Sequence, residues 1–159
     1  MPSGEDGAMA EDLEAVTVWM VELGGGRPPT DTRGRLSLEE DALVFDASAT
    51  SARTVIRFAD AHRVKRLRLS PVLVVHWRQS ANEHQTAFYF VQPPPLAPPE
   101  QPVSVAPASP FELFRRPSKR RQRRENANFL TMQVGPLRPT IGAWADEVQR
   151  RIGAASQPS

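Results

Sequence analysis

Between Thr54 and Val91 the chain strings together Thr54-Val-Ile-Arg-Phe58, Pro71-Val-Leu-Val-Val-His-Trp77 and Thr86-Ala-Phe-Tyr-Phe-Val91, with polar residues between the runs. Runs of this length rich in β-branched and aromatic residues suit a pleated, half-buried surface, and they are too short for helices. Asp60-Ala61-His62 and Ser80-Ala81-Asn82-Glu83 supply turns. An isolated pair of such strands is marginal in water, so the stretch predicts the middle of an antiparallel sheet. Ile56, Phe58, Val72, Val74, Phe88 and Phe90 are its expected core contributors.

The flanks extend that sheet. Ala15 to Leu23 alternates, with Val16, Val18 and Met20 on one face and Thr17, Trp19, Val21 and Leu23 on the other. Gly24-Gly25-Gly26 and Pro28-Pro29 end this strand. Arg35 to Glu39 and Leu43 to Asp46, joined by an acidic turn, predict a hairpin with Leu36, Leu38, Leu43 and Phe45 facing the core. Asn128 to Val134 predicts one more short strand. From Pro139 or Thr140 onward, Ile141, Trp144, Ala145, Val148 and Ile152 recur at helical spacing, and Trp144 is the natural plug.

Three segments fall outside this pattern. Residues 1–14 are small and acidic and predict a disordered tail, as does the polar end at 154–159. Pro93 to Pro110 holds eight prolines and predicts an extended, semi-rigid spacer. Seven cations follow between 115 and 124, whose mutual repulsion predicts a disordered or loosely helical segment.

The net charge of +2 conceals an uneven distribution. Residues 1–50 carry three basic against eleven acidic side chains, whereas residues 51–92 carry seven against two. Such asymmetry orients a molecule towards anionic partners. Cysteine is absent, which excludes disulfides, thiolate metal sites and cysteine nucleophiles. No run reaches the about 18 apolar residues that span a bilayer, and Met1-Pro-Ser-Gly-Glu-Asp lacks a secretion-signal pattern. A cytoplasmic location, with peripheral attachment at the inner membrane face, is the expectation. Eighteen arginines against two lysines fit a GC-rich bacterial coding bias.

The order Gly34-x-Leu36-x-Leu38, Asp41-Ala-Leu43-Val-Phe45 and Val55-Ile56-x-Phe58 resembles the pleckstrin-homology-like superfold, particularly its bacterial and GRAM-type members. Ser70-Pro71-Val-Leu-Val, Phe88-Tyr89-Phe90 and Ile141-x-x-Trp144 continue the resemblance, which covers residues 15–92 and 127–153. It implies a mainly β fold: a seven-stranded orthogonal sandwich or open barrel capped by one C-terminal α-helix. Residues 93–126 would then be a Pro-rich and Arg-rich insertion before the last strand. Phosphoinositide-binding relatives hold phosphates with basic residues at the loop joining their first two strands. Arg33-x-Arg35 is similar to part of that pattern, although the preceding strand ends Glu22-Leu23 without a lysine.

Reactive chemistry has little to start from. No G-x-S-x-G elbow is present, and Gly24-Gly25-Gly26 lacks the Gly-Lys-Ser/Thr that closes a phosphate loop. His62, His76 and His84 show no close ligand spacing, so neither a metal nor another cofactor is expected. Glu39-Glu40-Asp41 reads as a solvated turn, and Trp19, Trp77 and Trp144 as core.

The chain is therefore expected to be a non-enzymatic binding module, recruiting an anionic membrane surface or a protein partner. Candidate contacts are Arg115, Arg116, Lys119, Arg120, Arg121, Arg123 and Arg124, seated by Phe111 and Phe114. A second basic group comprises Arg33, Arg35, Arg57, Arg63, Lys65, Arg66 and Arg68, with Arg53 beside it. The alternative is an adaptor that docks through its Pro-rich segment, with non-specific nucleic-acid binding by the arginines a further possibility.

Overall fold

The structure, a computed structural model, describes residues 13–26, 29–94 and 119–157, and the side chains of the final helix from residue 134 onward. The described fold is mainly β. Strands β1 (Val16–Leu23), β2 (Asp31–Leu38), β3 (Ala42–Ala47), β4 (Arg53–Arg57), β5 (Ala61–Arg66), β6 (Val72–Gln79) and β7 (Asn82–Tyr89) precede one helix, α1 (Lys119–Ala155). They form one antiparallel sheet in the order β4-β3-β2-β1-β7-β6-β5.

The sheet curls around one core. Val18, Leu36, Phe45, Ile56, Val75, Trp77 and Phe88, drawn from six different strands, belong to a single buried cluster with Ile141, Trp144, Val148 and Ile152 of α1. The helix packs against β5 and β6, on the edge where the sheet ends. Gln149 presents its Oε1 to the Val64 N–H at 3.4 Å, giving the β5 edge a partner. This covers part of one of the two edges of the open sheet. Trp144, 1% exposed, meets Phe90 edge-on with ring centroids 6.4 Å apart. At Gly34, a Cβ would overlap the Asp46 carbonyl oxygen and the Phe45 ring, so only glycine lets these strands pack so closely.

Two turns carry positive φ without glycine. Ser80 (49°) and Ala81 (69°) form a two-residue link between β6 and β7, the twist that right-handed hairpins require. Leu69 (61°) sits at the tip joining β5 to β6. There Leu67 N–H donates to the Val72 carbonyl and Ser70 N–H to that of Leu67.

Several expectations are corrected. Asn128 to Val134 is helical, not a strand, and α1 begins at Lys119 rather than near Pro139. All seven strands therefore precede Pro93, and the Pro-rich and Arg-rich stretch separates the last strand from the helix. The β6–β7 loop shortens to Ser80-Ala81, and the turn at Asp60 gives way to β5 at Ala61. Val134, Leu137, Ile141, Trp144, Val148 and Ile152 make one continuous buried or half-buried stripe along α1. That stripe persists through Pro136 and Pro139, each of which removes one helix hydrogen-bond donor.

Val72 and Val74 are buried as expected of core residues, but on the opposite face from Phe88, in a second cluster with Val21 and Ala87. Leu73, Val75 and Trp77 face the main core instead, because Leu73 stands opposite Phe88 and Val74 opposite Ala87.

Candidate anion-binding surface

The basic residues of the first half do not form one patch. Each strand sends alternate side chains to opposite faces, and this divides them. Arg33 lies opposite Trp19 in the ladder, with its guanidinium 5.8 Å from the indole. Arg35 stands opposite Asp46, in a cross-strand row that continues to Arg53. Arg53 is ion-paired with Glu39 and lies 3.9 Å from Asp46. Arg57 lines a cleft beside Glu40, Asp41, Arg150 and Arg151. Acidic side chains thus sit among the cations of this region.

The β5–β6 end is different. Arg63 and Lys65 stand opposite His76 and Val74, on the face away from the helix. A register shift between Ala61 and Arg63 brings them there. Burial, then the nearby charges of Arg63, His62 and Lys65, hold the His76 imidazole below its ordinary pKa. Arg66, opposite Leu73, falls on the helix side. Its Nη1 lies 3.3 Å from the point where a Cβ on Gly142 would stand. Arg66, Arg68, Leu69 and Arg138 line one cleft of about 410 Å³ between the hairpin tip and α1.

Among the described residues, no carboxylate lies within 4.0 Å of Arg63, Lys65, Arg66, Arg68 or Arg138. Leu69 projects beside them with 56% of its surface exposed. A bulky side chain held in a left-handed conformation and turned to water bears two costs at one position.

Arg78, Arg150 and Arg151, by contrast, have carboxylate partners. Glu83 accepts a 2.9 Å hydrogen bond from Arg78 Nε and lies 3.6 Å from His62. The Arg78 hydrogen bond holds the Glu83 carboxyl below its ordinary pKa. Glu147 accepts from both Arg150 and Arg151, the former first in effect, and its carboxyl is lowered to about 2. His84 stacks on Trp77 with centroids 4.5 Å apart, and Trp77 Nε1 donates to the buried Thr86 hydroxyl at 3.0 Å. These histidines serve packing and pairing. Among the described residues, no group of three His, Cys, Asp or Glu side chains could hold a metal ion.

Arg115, Arg116, Phe111 and Phe114 lie outside the described residues, as does the Pro-rich stretch from 95 onward. Lys119, Arg120, Arg121, Arg123 and Arg124 occupy the first turns of α1. Arg138 was missed by sequence reasoning because Pro136 and Pro139 made its surroundings read as a boundary ahead of the helix. The signal available was the three-and-four spacing of Val134, Leu137 and Ile141 running straight across it. Among the described residues, no helix is long and apolar enough to cross a membrane. No protein-family model matches the chain, and no curated protein matches it.

Proposed function

We propose that the chain is a non-enzymatic, pleckstrin-homology-like module that docks on an anionic membrane surface through its β5–β6 end. One observation carries this reading: exposed Leu69 stands at the hairpin tip among cations that have no carboxylate partner among the described residues. Near an anionic leaflet each such cation contributes about 1 kcal/mol, screened over a Debye length of about 8 Å at physiological salt. An aliphatic tip flanked by long basic side chains matches the boundary between headgroups and acyl chains. The cations of Lys119–Arg124 lie on the same helix as Arg138, within roughly 30 Å along its axis.

Co-sedimentation with vesicles tests the proposal. Phosphatidylserine-containing vesicles should retain the protein at low salt, release much of it at high salt, and exceed neutral phosphatidylcholine vesicles throughout. Leu69→Asp should weaken retention about tenfold, which corresponds to about 1.4 kcal/mol. Equal binding to charged and neutral vesicles, or none to either, would overturn the reading.

A further inference from the structure

The cleft lined by Arg66, Arg68 and Arg138 has a geometry that general surface attraction does not require. Two of its arginines come from the β5–β6 hairpin and the third from α1. Distant parts of the chain therefore contribute three arginines to the lining of one cleft. Gly142 leaves room for Arg66 on the helix surface. Three like charges in one cleft repel, and each guanidinium offers up to five donors. What relieves such an arrangement is a compact, multiply charged acceptor. Phosphate fits better than a single carboxylate, since its oxygens can take paired hydrogen bonds from more than one arginine.

We propose that this cleft is a binding site for a phosphomonoester dianion. The inference rests on the reading of the β5–β6 end as an anion-docking surface and gives that surface a specific ligand. The cleft, of about 410 Å³ and open to solvent, leaves space beyond the phosphate for its substituent. Leu69 forms the apolar part of the lining and favours an aliphatic substituent. Two sources share this chemistry: the headgroup of a phosphatidic-acid-type lipid, and a free phosphorylated metabolite.

Glycerol 3-phosphate, a phosphomonoester, titrated into the full chain at constant ionic strength and followed by amide NMR, supplies the first arm. Saturable shifts are expected across 66–70 and 138–142. Arg138→Gln and Arg66→Gln should each weaken binding about tenfold, the scale of one lost charge-assisted hydrogen bond. Arg35→Gln, four strands from β5, should leave it unchanged. Gly142→Ala removes no charge but crowds Arg66 Nη1, so a weakening of about two- to threefold separates geometry from net charge. Shifts that do not saturate, or equal losses in Arg138→Gln and Arg35→Gln, would overturn the site.

The second arm compares phosphatidic acid with phosphatidylserine vesicles matched for surface charge. A preference for phosphatidic acid that Arg138→Gln abolishes supports a lipid headgroup as occupant. Saturable glycerol 3-phosphate binding without that preference supports the free phosphorylated metabolite. Vesicle binding without saturable glycerol 3-phosphate binding overturns the cleft and leaves membrane docking intact. Saturable glycerol 3-phosphate binding without vesicle binding overturns membrane docking and leaves the cleft.

Discussion

The two ends of the stretch of α1 from Val134 to Ala155 handle positive charge in opposite ways. Towards its C-terminus, Arg150 and Arg151 share Glu147, while Arg151 also donates to the Glu39 carbonyl at 2.6 Å and lies 5.8 Å over the Phe58 ring. There Arg151 holds helix to sheet. Near Pro139, Arg138 meets Arg66 and Arg68 across a cleft with no carboxylate among the described residues close by. One helix therefore carries a pinned end, where charge contributes to folding, and an open end, where charge is presented outward. An arginine cluster by itself does not reveal which role it has. The nearest acidic side chains decide it.

The largest expected effect removes the element that holds both ends in place. Trp144→Ala empties the main core at its helix contact and should cost about 3–5 kcal/mol in chemical denaturation. A loss below about 1 kcal/mol would mean that the helix is held by its charged end rather than by its apolar stripe.

Next in size is the pinned end. Glu147→Gln should lower stability by about 1–2 kcal/mol, less than the full pKa shift implies, because Arg150 is largely exposed and screened by solvent. The carboxyl's folded pKa is depressed, so its stabilisation is complete above its ordinary value of 4.5 and fades as pH falls towards about 2. Denaturation midpoints across that interval should converge for the wild type and Glu147→Gln. Midpoints that stay separated at pH 2 would show that the ion pair is not the cause.

The smallest effect belongs to the open end and has the opposite sign. Arg68→Gln and Arg138→Gln should change stability by no more than about 0.5 kcal/mol, towards the more stable side, because each relieves repulsion. The same variants should weaken anion binding. A clear loss of stability in either would move these arginines to the pinned class and remove the contrast.

Much of this fold was legible in local pattern. The strands around Val18, Leu36, Phe45, Ile56 and Phe88, and the buried Trp144, follow from alternation and helical spacing alone. The candidate site was legible in part: Arg66 and Arg68 stood out as basic, but nothing local paired them with Arg138, some seventy residues further along.

Composition and periodicity by themselves determined a β-rich domain with one capping helix, because a two-residue period and a buried aromatic stripe are properties of adjacent residues. Only the tertiary structure decided the rest. Val72-Leu73-Val74-Val75 is apolar at every position, so either parity could face the core until Leu73 was set opposite Phe88. Asn128 to Val134 carries residues that suit strand or helix, and only the structure makes the segment part of α1. Which arginines are paired and which converge depends on distances between segments remote in sequence, and folding alone sets those distances.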